Sequence, residues 1–159
     1  HIARQLGVSS VQSTNGVVLS KSAPLIKDSF SFNFSSVPDL VPAVATWCAV
    51  AHIPAVMEGV AHLRYKESDR LAALTTELAK AGVSIQPMGH DKISLNFDSI
   101  ERSEVISLQT YDDHRLAMSW SALAAVFSSV HINQPQVVRK SYPAFWQQLK
   151  EAGFLYNEL

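Results

Sequence analysis

Residues 55–82 read AVMEGVAHLRYKESDRLAALTTELAKAG, and the order of the patterns within them decides the fold class. The apolar run at 55–60 has the length of a strand, and the run at 71–81 has the periodicity of a helix. Gly82 follows that run, as glycine commonly does at a helix end. A strand, a charged loop and a helix in succession predict an α/β or α+β protein, in which outer sheets pack against buried helices.

The charged loop runs from Arg64 to Arg70 and holds five charges in seven residues, whereas only 17% of the 159 residues are charged. It precedes a predicted helix start, where free backbone N–H groups favour anions. The three cations of the loop could bind an anionic ligand, and the carboxylate of Glu67 among them could transfer a proton to or from that ligand. The alternative is a solvated helix start laced with surface ion pairs.

The composition excludes several functional classes. A net charge of −1 argues against a broad nucleic-acid-binding surface, and no apolar run is long enough to cross a membrane. The single cysteine, Cys48, excludes a disulfide framework and a cysteine zinc site, and it fits a reducing cytoplasm. We therefore expect a cytoplasmic protein without a nucleic-acid or membrane partner.

Three glycines that follow helix-like runs suggest an internal repeat. Gly7 and Gly82 are 75 residues apart, and Gly82 and Gly153 are 71 apart. A near-constant spacing of this length predicts a small subdomain that is used more than once. The expected segments are the tail of a truncated repeat (1–28), a second repeat (29–100) and a third repeat (101–159).

Matching residues of the second and third repeats lie 74 positions apart, as Asp39 and Asp113 do. Both aspartates are predicted as N-caps of the first helix in their repeat. The expected first helices are about 38–51 and 113–128, and the second helices are about 68–81 and 143–152. Trp47, Trp120 and Trp146 are expected in the core.

Symmetric packing of the repeats would bring their charged helix starts to one end of the molecule. This arrangement predicts a basic pocket that is lined by helix N-termini and carboxylates, and that suits phosphates or carboxylates. Lys66 and Arg70 are four residues apart and are expected on one helix face, with Glu67 pointing elsewhere.

Three segments resemble signatures of the 5-enolpyruvylshikimate-3-phosphate synthase family. Residues 64–70 are similar to its R-x-K-E-[ST]-D-R signature, and residues 111–118 to its Y-[DN]-D-H-R-[ML]-A-M segment. Residues 140–143 resemble its K-[ST]-[FY]-P segment, and Pro38-Asp39 precedes a helix as in the family. The resemblance runs in the right order over nearly the whole chain.

The resemblance implies a fold of two similar domains, each built from three βαβαββ-type units, with the active site between them. The chain would then be the C-terminal part of one domain, and its partner would be the missing N-terminal domain of the same protein. By itself the chain is expected to be inactive, because half of the pocket would be absent.

The resemblance also implies an activity. The family transfers the enolpyruvyl group of phosphoenolpyruvate to the 5-hydroxyl of shikimate-3-phosphate and releases phosphate, by addition and then elimination. This step belongs to the shikimate pathway of aromatic amino acid biosynthesis, and nothing in it requires a metal or an organic cofactor. Two alternatives stay open: a non-catalytic anion-binding module, and the UDP-sugar enolpyruvyl transferase of cell-wall synthesis, which lacks the R-x-K-E-x-D-R segment.

Site roles follow from the same resemblance. Asp39 is the candidate base for the hydroxyl, and Glu67 is the candidate acid for the methylene carbon. Arg70, Arg115 and Lys140 would clamp phosphoenolpyruvate. Lys66 would contact the shikimate hydroxyls or the intermediate, and His114 would orient groups in the site. His62 stands where some members have asparagine and is a further candidate for substrate binding.

Overall fold

Helices and strands alternate along the chain in a computed structural model that describes residues 2–22, 28–97 and 104–157. The helices are α1 (Ile2–Gln5), α2 (Val41–Ala51), α3 (Arg70–Ala79), α4 (His114–Trp120) and α5 (Phe145–Glu151). The strands are β1 (Val8–Ser13), β2 (Gly16–Lys21), β3 (Phe30–Asn33), β4 (Ala55–Glu58), β5 (Val83–Pro87), β6 (Lys92–Phe97), β7 (Val105–Leu108) and β8 (Ser129–Ile132). Short 3-10 helices occupy Pro38–Leu40, Ala61–Tyr65, Ser121–Ala125 and Pro135–Lys140. The predicted α/β class is confirmed.

In the described part of the chain the strands form one four-stranded sheet and two two-stranded sheets. The order in the larger sheet is β3-β4-β6-β5, with β3 parallel to β4 and β6 antiparallel to both of its neighbours. The strands β1 and β2 form an antiparallel hairpin, and β7 and β8 form a parallel pair. Both parallel pairs are connected through a helix, as parallel strands require.

The core lies where the four-stranded sheet meets the central helices. Seven of the eleven residues of α2 are buried, and this helix packs against α3 and α4. Phe30 and Phe34 at the ends of the β3 segment are buried, while Ser31 and Asn33 between them are exposed. Among the described residues, no helix combines the length and the apolar character that a membrane crossing needs.

The three tryptophans differ in burial. Trp120 is fully buried and donates its indole N–H to the carbonyl oxygen of Gln109 at 3.0 Å. Trp146 is half-buried. Trp47 is 36% exposed, so its predicted place in the core is wrong. The sequence could not reveal this, because α2 is apolar on nearly all sides and its pattern does not mark one buried face.

The helix predicted at 113–128 ends early. The α-helical part, α4, stops at Trp120, and the chain continues as the 3-10 helix Ser121–Ala125. Ser119 donates its hydroxyl to the carbonyl oxygen of Arg115 at 2.6 Å, and Ser121 donates to that of Met118 at 2.7 Å. Serine hydroxyls that bond backward compete with the helical hydrogen-bond ladder, which accounts for the change of helix type.

The second predicted helix, at 68–81, begins at Arg70 rather than at residue 68. Asp69 caps it, because its carboxylate accepts a hydrogen bond from the Ala72 backbone N–H at 2.9 Å. Lys66 has an extended backbone and lies in the preceding loop. The prediction that Lys66 and Arg70 share a helix face is therefore wrong. The backbone of the loop, and not helical geometry, sets the positions of Lys66 and Glu67.

A strand–helix–strand unit occurs twice. The first consists of β3, α2 and β4, the second of β7, α4 and β8, and in each the two strands are parallel. The two units lie within the segments predicted as the second and third repeats. The proposed boundary at residues 100 and 101 lies outside the described residues, so the repeat boundaries stay a prediction.

Gly59 sits where the loops after β3 and β4 approach each other. Its φ is +73°, and a Cβ there would lie 2.4 Å from the backbone nitrogen of Ser35. We expect Gly59→Ala to lower the free energy of unfolding by about 3 kcal/mol, from the backbone clash and the left-handed conformation. Gly89→Ala is the matched control, because Gly89 has a φ of +77° and open space around it. Gly89→Ala should lower the free energy of unfolding, measured with urea, by about 1 kcal/mol. Equal decreases for the two variants would contradict the clash at Gly59.

Candidate active site

The guanidinium of Arg70 lies at the centre of the site and is fully buried. Its Nε donates to Asp113 Oδ2 at 2.7 Å, its Nη1 to Asp39 Oδ1 at 2.8 Å, and its Nη2 to Glu67 Oε2 at 2.5 Å. Arg70 is the first residue of α3, and its three carboxylate partners come from three other places in the chain. The planar fork of an arginine suits such multiple, charge-assisted hydrogen bonds.

Two further cations complete the arrangement around Asp39. Lys66 Nζ is 3.4 Å from Asp39 Oδ1, and Arg115 Nη2 is 2.9 Å from Asp39 Oδ2. The charge cluster, as we define it, consists of Asp39, Lys66, Glu67, Arg70, Asp113 and Arg115. It holds three cations and three carboxylates, so its formal charge is balanced.

Asp113 has the double role of helix cap and buried counterion. Its carboxylate accepts the backbone N–H of Arg115 at 2.9 Å, which confirms the predicted N-cap of α4. It also accepts the hydroxyl of Ser68 at 3.1 Å and the Nε of Arg70. Sequence reasoning missed this second role, although the 74-residue spacing from Asp39 already linked the two aspartates.

The predicted N-cap role of Asp39 is wrong. The residue lies within the 3-10 helix Pro38–Leu40, and Leu40 is the N-cap of α2, without a side-chain cap hydrogen bond. Because the chain enters α2 through this extra turn, Asp39 is too early to cap the helix. Its carboxylate instead contacts Lys66, Arg70 and Arg115.

The cations keep both aspartates ionised. Burial raises the pKa of Asp39, but the hydrogen bond from Arg70 and the charges of Arg115 and Lys66 outweigh it and hold the pKa below its usual value. Burial likewise raises the pKa of Asp113, and the hydrogen bond and charge of Arg70 more than offset it. Two ionised carboxylates therefore face the same guanidinium at neutral pH.

The cluster has a buried half and an accessible half. The side chains of Arg70 and Asp113 are 0% exposed, whereas those of Asp39 and Glu67 are 40% and 43% exposed. Lys66 and Arg115 are also partly exposed. An anion can reach Lys66 and Arg115 directly, but it can reach Arg70 only by displacing Asp39 or Glu67. The accessible half is therefore suited to anion binding with proton transfer at a carboxylate.

The other predicted site residues lie around this cluster. Lys140 Nζ donates to the Asp112 carbonyl oxygen at 2.9 Å and pairs with its carboxylate at 2.6 Å. His114 is buried, and its Nδ1 has no hydrogen-bond partner among the described residues. His62 lies on the 3-10 helix Ala61–Tyr65, which Asp91 holds by accepting the Ala61 N–H at 2.7 Å. The structure thus places Lys140 against Asp112, which precedes Asp113 in the chain, and His114 at the first position of α4. Among the described residues, His62 forms no hydrogen bond or ion pair with the charge cluster.

A strained turn leads into the site. Tyr111 and Asp112 have φ values of +52° and +57°, and Asp113 N–H donates to the Thr110 carbonyl oxygen at 2.9 Å. The left-handed region costs about 1–2 kcal/mol per residue for side chains other than glycine. Aspartate tolerates it better than tyrosine, so other contacts must hold Tyr111 there.

The sequence matches a known family over most of its length. A family model described as EPSP synthase (3-phosphoshikimate 1-carboxyvinyltransferase) matches residues 1–149, a range that contains every residue of the charge cluster. The chain belongs to the EPSP synthase family. In this EPSP synthase family chain, residues 2–22, 28–97 and 104–157 contain no group of three or more His, Cys, Asp or Glu that could hold a metal ion.

Several similar proteins carry the name 3-phosphoshikimate 1-carboxyvinyltransferase. The chain is 33% identical to the one from Bacteroides fragilis over 150 residues, which is 94% of this chain and 36% of that protein. It is 35% identical to the one from Methanosarcina mazei, over 91% of this chain and 32% of that protein. For Aliivibrio salmonicida the identity is 36%, over 78% of this chain and 28% of that protein. The chain thus spans about a third of the length of these EPSP synthase relatives.

Arg70→Met tests the central guanidinium. The substitution leaves the buried Asp113 without its counterion, so we expect the free energy of unfolding at pH 7 to fall by about 3–5 kcal/mol. Arg64→Met, which removes an exposed arginine of the same loop, should change it by less than about 0.5 kcal/mol. Urea unfolding of both variants measures the difference, and equal effects would rule out Arg70 as the organising residue.

The lowered pKa values of Asp39 and Asp113 also predict how stability depends on pH. Unfolded aspartates have a pKa of about 3.9, so these two groups stabilise the fold above that pH. The contribution is lost as the pH falls through the lower folded pKa values. Asp113→Asn should therefore lower the stability at pH 7 and flatten its decline between about pH 4 and pH 2. Asp28→Asn, at an exposed position outside the cluster, should leave the decline unchanged.

Proposed function

We propose that this chain forms one wall of the active site of an enzyme that makes 5-enolpyruvylshikimate-3-phosphate. The enzyme would transfer the enolpyruvyl group of phosphoenolpyruvate to the 5-hydroxyl of shikimate-3-phosphate and release phosphate. The observation that carries the proposal is the pair of accessible carboxylates, Asp39 and Glu67, on the same guanidinium of Arg70. Addition across the enolpyruvyl double bond needs a base and an acid in such proximity.

Asp39 is the base in this proposal. It is ionised at neutral pH and surrounded by Lys66, Arg70 and Arg115, which weaken it as a proton acceptor. When an anionic substrate binds Lys66 and Arg115, its negative charge offsets part of their effect on Asp39, and the pKa of Asp39 rises. Substrate binding itself would thereby strengthen the base.

Glu67 is the acid in this proposal: its carboxylate would first take up a proton from solvent and then pass it to the methylene carbon of phosphoenolpyruvate. Its side chain is 43% exposed, so a substrate can reach it from solvent. The contact with Arg70 at 2.5 Å fixes the carboxylate close to Asp39, and both are held by nitrogens of one rigid group. This arrangement supports separate base and acid roles for two carboxylates that share an anchor.

Cations at the accessible side are the substrate-binding groups. Arg115 and Lys140 would bind the anionic groups of phosphoenolpyruvate, and Lys66 the shikimate hydroxyls or the intermediate. Arg70 would join the clamp by exchanging one of its carboxylate partners for the substrate. His114, whose buried Nδ1 has no partner among the described residues, would orient groups in the site, and His62 stays a candidate for substrate binding.

The proposal extends to organisation and location. We propose that residues 1–28, 29–100 and 101–159 are successive repeat segments of one domain, and that the partner is the other domain of a family-sized protein. The two parallel strand–helix–strand units support the repeats. A cytoplasmic location is supported by the single, buried Cys48, and a role without nucleic acid by the net charge of −1.

An assay of phosphate release tests this function. The complete product of the gene that encodes the chain should release phosphate when it is given both phosphoenolpyruvate and shikimate-3-phosphate. Release with a UDP-sugar acceptor instead would favour the cell-wall transferase, and release with neither would favour the anion-binding module. The 159-residue chain by itself should release none.

The same assay tests the two carboxylates. We expect Asp39→Asn and Glu67→Gln each to lower kcat by about 10²- to 10⁴-fold, because each removes one proton-transfer group. Glu58→Gln is the control, because Glu58 has similar exposure and pairs with Lys92 on the sheet at 2.6 Å. A kcat within about threefold of the parent for Asp39→Asn or Glu67→Gln would refute that residue's role.

A further inference from the structure

A second buried charge lies on the same helix as Arg70. Glu77 is 1% exposed and comes seven residues after Arg70 in α3. Seven residues make about two turns, or roughly 10 Å along the axis, so both side chains lie on one face of the helix. Nothing in the proposed chemistry uses Glu77, yet a buried carboxylate is costly unless it is paired and hydrogen-bonded.

Glu77 receives three donors. Its Oε2 accepts the backbone N–H of Gln109 at 3.0 Å and the ammonium of Lys80 at 2.7 Å, and its Oε1 accepts the hydroxyl of Tyr111 at 2.7 Å. Lys80 also donates to the carbonyl oxygen of Ser107 at 3.0 Å. Burial and the neighbouring carboxylate raise the pKa of Tyr111 to about 12, so its hydroxyl remains a donor at neutral pH.

Glu77 and Lys80 bind backbone and side-chain groups of residues 107–111, which come shortly before the charge-cluster residue Asp113. Gln109 follows β7, and Tyr111 is the first of the two left-handed residues before Asp113. At the other end of the turn, Arg70 binds Asp113. Helix α3 therefore holds residues 109–113 at two points, with the strained turn between them.

We propose that Glu77 is a positioning residue for the proposed enolpyruvyl transfer. It fixes the left-handed turn at Tyr111 and thereby sets Asp113 against Arg70 and Arg115 against Asp39. The inference rests on the proposed function for its catalytic consequence. Its structural part, the coupling of Glu77 to Asp113 and Arg115, stands independently. The side chains of α4 that face substrate are then placed by a carboxylate two helical turns away from the reacting groups.

Two substitutions separate this role from general stability. Glu77→Gln keeps one acceptor oxygen and replaces the other by an N–H₂ group, so the side chain can no longer accept from all three donors, and it loses the charge that pairs with Lys80. Tyr111→Phe removes a single hydroxyl and leaves Glu77 paired with Lys80. Glu58→Gln is the matched control, because it breaks a Glu–Lys pair of similar length, 2.6 Å, on the sheet.

Hydrogen exchange in the 159-residue chain provides the first readout. We expect the Arg115 backbone N–H and the Arg70 Nε–H, both bonded to Asp113, to exchange at least about 10-fold faster in Glu77→Gln. Tyr111→Phe should act in the same direction with a smaller factor, and Glu58→Gln should leave both unchanged. The amide of Ile93, in the sheet, serves as the internal reference for global unfolding. If Glu77→Gln does not fold, Tyr111→Phe decides the question.

Activity of the complete gene product provides the second readout. Glu77→Gln should lower kcat by about 10- to 100-fold and shift KM by less than kcat, because displaced groups act most on the transition state. Unchanged exchange at Arg70 and Arg115 in folded variants would overturn the positioning role, whatever the activity. Faster exchange at both sites in a protein without transferase activity would leave the positioning of the turn intact and reject the proposed function.

Discussion

A buried guanidinium has to be neutralised and hydrogen-bonded, and the architecture around Arg70 follows from that requirement. Moving a charge out of water is costly, and the attraction of counterions offsets the cost only with good geometry. The counterions of Arg70 come from the 3-10 helix before α2, the loop before α3 and the first residue before α4. Arg70 is therefore satisfied only when α2, α3 and α4 are assembled. This makes it a determinant of one specific helix arrangement more than a source of net stability.

The balance of the cluster also links anion binding to proton transfer. Three cations and three carboxylates leave no excess positive charge. An arriving anion therefore makes the cluster net negative, which favours protonation of a carboxylate. The carboxylates with the greatest access to solvent are Asp39 and Glu67. In the proposed function, the cluster would take up a proton where it binds an anion, which is the coupling that an addition step with a base and an acid requires.

Sequence reasoning found five of the six residues of the charge cluster, but it missed the counterion role of Asp113 and the way the residues pair. The spacing of 74 residues linked Asp39 to Asp113, and both contact Arg70 in the structure. The burial of Arg70 was not predictable, because its partners Asp39 and Asp113 lie 31 and 43 positions away and local patterns carry no information on such distances. The local N-cap rule also failed at Asp39. Aspartate before an apolar run is typical of an N-cap, but this residue lies in a 3-10 helix. The fold class needed only strand and helix periodicity and was therefore accessible.

The geometry of the Arg70 guanidinium separates its role from that of the more exposed cations. An arginine has five N–H donors in one plane, and those of Arg70 are directed at three carboxylates. The same N–H groups cannot make full hydrogen bonds to these three carboxylates and to a substrate at once. In the proposed function, initial recognition of an anion would therefore fall to Lys66, Arg115 and Lys140, whose side chains are 28%, 35% and 47% exposed. Arg70 can enter later, and only at the expense of Asp39 or Glu67. In the proposed function, release of Asp39 from Arg70 would remove a contact that lowers the pKa of this aspartate, so the exchange of partners would be coupled to proton transfer.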